Sequence, residues 1–388
     1  MGSLPTIGEY FEEISNLFEY GEYSSFIKRL IDLTLDTQDL RFYRKMLELL
    51  DWYDSNGEDI SIKKNILSDY YKELTDTLHK YEVREERKLL EVGNLSKQYR
   101  KSFFSLGPLD LTISTGEIVG LVGENGNGKT TLLRLLCREL VPTGGRINYY
   151  FDHKDEYDLR TKLVYIPQRT KDWHGTLLSN LHFTASSYGI VREENELLVE
   201  LVIARMGLRS FRKHNWKDLS SGYKMRFELA RMLLRKPELL LIDEPLANLD
   251  ILAQQIILDD FKNITKSPFR PLGIILSSQQ LYEVEKTSDY VIFLKDGKPN
   301  KELYSKDEEE PVDKKLIIEF ESDWKHEQLM TVFSRLNVEK LQFEAGTYIV
   351  IFPEKVSSFQ FMETVVNNEI PILYFRNISN STRRFFLS

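Results

Sequence analysis

Cysteine is almost missing: Cys137 is the only one in 388 residues. A single thiol cannot close an intrachain disulfide, which excludes an oxidised scaffold and makes the reducing cytoplasm the expected location. Long apolar runs are missing too. No stretch approaches the ~18–20 consecutive apolar residues that span a bilayer, and the acidic start lacks the basic-then-apolar layout of a secretory signal. If the protein works at a membrane, another chain is expected to supply the span. The segment Met1-Gly2-Ser3-Leu4-Pro5-Thr6 satisfies the N-myristoylation pattern, although an ordinary chain start accounts for it as well. A basic surplus is also absent: 60 acidic against 52 basic side chains leave a net charge of -8. Non-specific nucleic-acid binding draws most of its affinity from Lys and Arg neutralising phosphates, so no nucleic-acid partner is expected.

What is there is 41% hydrophobic and 12% aromatic, the make-up of a folded, soluble protein. The length exceeds one typical domain of ~100–200 residues and predicts two or three. Residues 1–86 carry apolar positions at helical spacing (Phe18, Phe26, Leu30, Leu33, then Tyr43, Met46, Leu47, Leu50) with little Gly or Pro. Breaks near Gly21, Thr37 and Asp54–Gly57 predict three or four short helices, with the aromatics filling their core rather than forming a docking surface. From residue 87 to 304 short strands with Gly turns give way to alternating strands and helices, the pattern of an α/β domain with a parallel sheet. Lys306–Pro311 is a charged run expected to be a solvated linker. Beyond it, 312–388 is expected to fold as strand 315–322, helix 326–336, strand 338–344, strand 347–352, helix 357–368 and strand 370–375. That βαββαβ order is an α+β, ferredoxin-like plan.

The strongest local signal runs Gly123-Glu124-Asn125-Gly126-Asn127-Gly128-Lys129-Thr130-Thr131, between the strand Glu117–Val122 and the apolar helix expected over 132–140. It satisfies G-x4-G-K-[ST] in the required strand-to-helix context. Gly123, Gly126 and Gly128 let the backbone N–H groups of the loop, those of Asn125 and Thr131 included, turn towards phosphates. The helix after the loop aims the positive end of its dipole at the same anion. Lys129 supplies a point charge for the β- and γ-phosphates, and Thr130 offers a hydroxyl to Mg²⁺. Further on, Leu239-Leu240-Leu241-Ile242-Asp243-Glu244 is an apolar strand ending in two acids. Asp243 is placed to hold Mg²⁺ through water, and Glu244 to polarise the water that attacks the γ-phosphate. The two motifs together predict a P-loop NTPase that binds Mg-ATP.

A third motif narrows the class. Leu219-Ser220-Ser221-Gly222-Tyr223, about twenty residues before the acidic strand, resembles the LSGGQ signature of the ATP-binding cassette family, keeping Leu219, Ser220 and Gly222 and replacing the third and fifth positions. Ser220 can cap the helix expected over 223–235, and with Gly222 N–H this forms an anion site with no phosphate of its own. The resemblance implies that a second copy of the chain supplies that phosphate in a nucleotide-sandwich dimer. Other family elements appear in order. Tyr99 matches the aromatic that stacks on adenine, Gln168 the glutamine that reaches Mg²⁺ and the attacking water, and Asp250 in Asn248-Leu249-Asp250 the loop that crosses to the other protomer. The implied fold is an α/β P-loop cassette with a parallel sheet, an antiparallel β subdomain and a helical subdomain, flanked by the all-α and ferredoxin-like domains.

At Ser277-Ser278-Gln279 the sequence departs from the family, which usually places a switch histidine where Gln279 stands. An amide can hydrogen-bond the γ-phosphate but carries no proton or positive charge, so transition-state stabilisation weakens. With Lys129, Gln168, Asp243 and Glu244 all present, slow hydrolysis is favoured over a nucleotide switch that rarely turns over. The closing segment Ile378–Leu387 resembles the end of drug-exporter-type bacterial cassettes. The leading expectation is therefore the ATPase subunit of a transporter, held at the cytoplasmic face by a separate transmembrane permease. Trp173 and 177–183 would form part of the groove for the permease helix, with an ordinary helical core as the alternative. The rival is a soluble cassette protein in which ATP-driven closure serves regulation. Gln279→His is expected to raise the steady-state ATPase rate; an unchanged or lower rate would remove Gln279 from the switch position.

Overall fold

Helix boundaries at the N-terminal end obey local chemistry. Thr6 and Glu9 form a reciprocal capping box that starts α1 (Ile7–Glu19), and Gly21 turns the chain at φ 78° into α2 (Tyr23–Thr37). Gln38 in the left-handed region ends α2, and α3 (Leu40–Ser55) and α4 (Ile60–Leu78) come next. In this computed structural model the described residues are 4–55, 60–99, 104–170, 172–279, 281–299, 315–344 and 346–379. The charged run Lys306–Pro311, most of the Ile378–Leu387 segment that carries the exporter resemblance, and Met1–Ser3 of the myristoylation pattern lie outside them.

The chain divides into two compact units, Met1–Pro299 and Asn300–Ser388. In the first, β1 (Lys88–Gln98) and β2 (Ser105–Ser114) form an antiparallel pair, and β3 (Ile118–Val122) leads into α5 (Lys129–Leu136). Next come β4 (Gly144–Tyr149), α6 (Glu156–Lys162), β5 (Leu163–Ile166), α7 (Leu177–Ser187), α8 (Arg192–Arg205) and α9 (Ser221–Leu233). The unit closes with β6 (Leu239–Ile242), α10 (Ile251–Thr265), β7 (Gly273–Ser278), α11 (Leu281–Thr287), β8 (Tyr290–Lys295) and β9 (Lys298–Pro299). Among the described residues, one sheet has the order β5-β6-β7-β3-β8-β9, parallel from β5 to β8, and a second, antiparallel sheet has the order β2-β1-β4. Strands β3, β6 and β7 are buried along their whole length, as continuous Ile/Leu/Val runs demand of a parallel sheet covered on both faces.

The N-terminal helices do not close a core of their own. Phe26, Leu30, Leu33, Met46 and Leu74 belong to the same buried apolar cluster as Leu201, Phe227 and Phe261 of the α/β part. Phe26, Phe42, Tyr43 and Tyr70 are buried as core residues, whereas Tyr20 is exposed. The contact also carries charge. Arg205 of α8, 0% exposed, donates from Nε to Asp32 of α2 and from Nη1 to Asp260 of α10, each at 2.6 Å. Arg270 Nε and Ser267 Oγ donate to Asp36 at 2.7 and 3.0 Å, and burial raises the Asp36 carboxyl above the usual range despite the Arg270 charge beside it. Buried ion pairs hold because each charge is met by its opposite in a medium that solvates neither.

The second unit runs β10 (Leu316–Glu321), α12 (His326–Phe333), β11 (Lys340–Glu344), β12 (Thr347–Phe352), α13 (Ser358–Asn367) and β13 (Tyr374–Asn377). Its antiparallel sheet has the order β11-β12-β10-β13, and Phe320, Phe333, Phe352 and Phe361 pack edge-on and stacked in the core. The last strand starts later than the 370–375 expected from sequence. Ile370 drops into the core and Pro371 has no N–H for the ladder, so pairing with β10 begins at Tyr374.

Removing the Arg205 charge leaves Asp32 with only Arg29, at 3.5 Å, and Asp260 with only Lys28, at 3.4 Å. Arg205→Met is expected to cost ~3–5 kcal/mol in urea unfolding. A loss below ~1 kcal/mol for the single change would show that the cluster does not fasten the helices.

Candidate nucleotide site

The loop between β3 and α5 has its shape from two glycines. At Gly123 a Cβ would meet the Leu294 carbonyl oxygen at 2.4 Å, so the strand end passes β8 only without a side chain. Gly128 caps α5 at φ 99°, where a Cβ would also press on Leu106 at 2.8 Å. Between them Asn125 and Gly126 are exposed, and Thr131 lies in the first turn of α5. Lys129, buried to 4% exposure, donates from Nζ to the Gly123 and Glu124 carbonyls at 2.6 and 3.2 Å. The amine is thereby held over the mouth of its own loop.

Parallel pairing brings the acidic strand end to the same place. Ile242 pairs with Leu276 and Leu276 with Gly120, so β6, β7 and β3 end side by side, with Asp243 and Ser277 next to the loop. Thr130 Oγ1 donates to Asp243 Oδ2 at 2.7 Å and Ser277 Oγ to Asp243 Oδ1 at 2.6 Å, with Asp243 only 2% exposed. Tyr165 adds its hydroxyl to Oδ2 at 3.4 Å. Burial first, and the Asp243 charge second, push that phenol far above its ordinary range, so it stays neutral and a donor. Glu244 sits at φ 49°, an uncommon region for a non-glycine residue, and its N–H donates to Ser277 Oγ at 2.9 Å. Its carboxylate Oε2 accepts from Gln168 Nε2 at 2.7 Å and Gln279 Nε2 at 2.9 Å, while Oε1 lies 3.4 Å from Lys129 Nζ.

Lys129, Thr130, Gln168, Asp243, Glu244 and Gln279 thus form one connected group. The other residues singled out in the sequence stand apart from it. Ser220 caps α9, accepting weakly from Tyr223 N–H at 3.5 Å, and Ser221 Oγ donates to the Asn248 carbonyl at 2.8 Å. Among the described residues, no hydrogen bond joins Ser220, Gly222 or Asp250 to the loop 123–131. Asp250 caps α10 by accepting from Ala253 N–H at 2.8 Å. Tyr99, half-buried, comes just after β1 on the antiparallel sheet with the Lys97 amine 5.6 Å from its ring centre. Trp173 donates to Glu228 at 2.9 Å, and Phe183 of α7 is exposed. Tyr223, where the signature usually has a glutamine, packs on the Phe211 ring with centroids 3.9 Å apart.

Residues 106–247 match the ABC transporter family. The chain is 30% identical over 198 residues to the ABC transporter ATP-binding protein NatA of Bacillus subtilis, 49% of this chain and 77% of that one. The chain belongs to the ABC transporter ATP-binding family. It is also 31% identical over 225 residues to the spermidine/putrescine import ATP-binding protein PotA of Mesoplasma florum, 55% of this chain and 60% of the relative. Among solved structures, cbiO1 of Clostridium perfringens, part of the ABC transporter complex cbiONQ, superposes with a TM-score of 0.51 at 25% identity, over 55% of this chain and 86% of its own. The unit that holds the site is accordingly an ATP-hydrolysing ABC cassette of α/β P-loop fold.

Two members of this ABC site carry no signal of their own in the sequence. Ser277 reads there only as a neighbour of Gln279, and Tyr165 only as part of the run before Gln168. Both contact Asp243 across strands, which no local pattern announces. Ser277 is the one side chain that touches Asp243 and the Glu244 backbone together among the described contacts. Ser277→Ala is therefore expected to lower the ATPase kcat about tenfold, the worth of a good buried hydrogen bond, with the KM for ATP changed little. A kcat within twofold of wild type would remove Ser277 from this role.

Proposed function

We propose that this ABC ATPase works as a pair of copies that close on two molecules of Mg-ATP and drive a separate membrane-spanning permease from its cytoplasmic side. The convergence of Lys129, Thr130, Gln168, Asp243 and Glu244 at the carboxyl ends of β3, β5 and β6 carries this reading. Phosphates fit the loop because backbone N–H groups, the α5 N-terminus and Lys129 all present positive character there. Thr130 Oγ1 and Asp243, an oxygen pair 2.7 Å apart, match a hard cation that keeps most of its ligands as water and phosphate oxygens. Mg²⁺ bound there would neutralise charge on the β- and γ-phosphates. Glu244, steadied by the Gln168 amide, would accept hydrogen from the attacking water, and Lys129 would meet the γ-phosphate oxygens.

The need for a second copy rests on Ser220 and Gly222. They open α9, where the dipole and N–H groups favour an anion, yet this turn is tied through Ser221 to the Asn248 carbonyl and not to its own phosphate loop. A phosphate brought by another protomer would complete it, with Asp250 at the same junction and Tyr99 stacking on adenine. Gln279 favours slow turnover: its amide grips the Glu244 carboxylate, and it has no charge to offer the transition state. Among the described residues no helix is long and apolar enough to cross a membrane, in keeping with a permease on another chain. The import and transport names of the relatives support such a partner without fixing the direction or cargo. Two further assignments belong to this reading. Residues 1–86 are an added all-α region that shares its core with a cassette over 87–304, rather than a separately cored domain. The βαββαβ unit over 312–388 is ferredoxin-like. Glu244→Gln is expected to accumulate a dimer with ATP, seen as a doubling of mass by light scattering. A variant that stays monomeric with saturating Mg-ATP would sink the paired mechanism.

A further inference from the structure

Ser221 stands where the LSGGQ signature has its first glycine, a residue with no side-chain donor. The hydroxyl is used here. In the first turn of α9, Ser221 Oγ donates to the Asn248 carbonyl at 2.8 Å, and among the described residues no other hydrogen bond joins 219–223 to 244–250. Packing brings the two segments within reach: a Cβ on Gly222 would lie 3.5 Å from Ala253 Cβ and 4.0 Å from Leu249 Cδ2, so the start of α9 rests on the start of α10.

Asn248 is in turn closely tied to Glu244. Ala247 N–H donates to the Glu244 carbonyl at 3.2 Å and Leu249 N–H to the Leu246 carbonyl at 3.3 Å. Gln254 Nε2 donates to the Leu246 and Leu249 carbonyls at 3.3 and 3.2 Å, and Leu246 is buried. Glu244 and Asn248 both lie in the left-handed region, at φ 49° and 62°. A segment wound and pinned in this way passes a displacement of the Asn248 carbonyl on to Glu244 instead of absorbing it. Ser221 is exposed in the single chain, where water competes for the bond. A second copy covering the turn would exclude that water and strengthen it.

We propose that Ser221 is a positioning residue that couples the two nucleotide sites of the pair. A phosphate of the other copy, seated on Ser220 and Gly222, would shift the first turn of α9, and Ser221 would carry the shift through Asn248 to Glu244, the base for the chain's own ATP. The inference rests on the paired reading above, since the signature turn has no hydrogen bond to its own phosphate loop. For the same reason Ser221 adds nothing to the binding of ATP by a single chain.

The test is the ATP dependence of steady-state hydrolysis by the full chain, with Ser221→Ala and Ser221→Thr beside wild type. Alanine is well tolerated in a helix and removes only the hydroxyl. Wild type is expected to show a Hill coefficient of about 1.5 or more, against a ceiling of about two for two sites. Ser221→Ala is expected to bring it down to about 1 and to lower kcat about fivefold, the worth of one neutral hydrogen bond. The rise in Tm with Mg-ATP, measured on chains too dilute to pair, is expected to stay as in wild type. Ser221→Thr keeps a hydroxyl and is expected to restore the Hill coefficient. A wild-type Hill coefficient and kcat in Ser221→Ala overturn the proposal, as does a Ser221→Thr chain as uncoupled as Ser221→Ala. If Glu244→Gln pairs with ATP while wild type hydrolyses without cooperativity, the coupling falls and the paired reading stands. If Glu244→Gln stays monomeric, both fall.

Discussion

Parallel pairing of β6, β7 and β3 is the constraint on which the site depends. Strands that run the same way and stay in register end at one edge, so the residues at their carboxyl ends are delivered to the same few ångströms. Gly123 and its loop extend β3, Asp243 and Glu244 extend β6, and Ser277 lies in the last turn of the β7 ladder. Burial then gives these groups their force. Asp243 is shielded from water and takes hydrogen bonds from Thr130, Ser277 and Tyr165, so its position is fixed before any ligand arrives. The uncommon backbone of Glu244 is the local cost of turning the next carboxylate towards Lys129 and away from the strand.

A second constraint holds the N-terminal helices against the cassette. Arg205 bonds Asp32 and Asp260 at once, so α2, α8 and α10 meet at a single guanidinium. Apolar burial supplies most of the attraction across this contact, because the surrounding Phe, Leu and Met side chains share one core. The ionic groups instead restrict it to one arrangement, since any sliding of α2 would strand a charge in an apolar medium.

Much of this is legible from residue order. The phosphate loop, the acidic strand end, the glutamine after β5 and the capped α9 are all local patterns whose chemistry needs neighbours in sequence. The helix breaks near Gly21 and Thr37 are equally local, and the structure turns at Gly21 and Gln38. The βαββαβ order of the second unit comes from apolar periodicity, with the error confined to the last strand, where Pro371 and the inward Ile370 delay pairing.

By itself the sequence determined a glycine-rich loop between a strand and a helix, two acids at the end of an apolar strand and a glutamine after the Ser277-Ser278 pair. Each of these is set by residue type and short-range spacing. Only the tertiary structure decided that Ser277 and Tyr165 join Asp243, that Gln279 grips Glu244, and that helices α1 to α4 share a core with the cassette. Ser277 and Asp243 are 34 positions apart in the chain, and Arg29 and the Asn263 carbonyl it reaches are 234 apart. No local pattern encodes such contacts, because they arise only when strand register and helix packing bring distant side chains into the same dry volume.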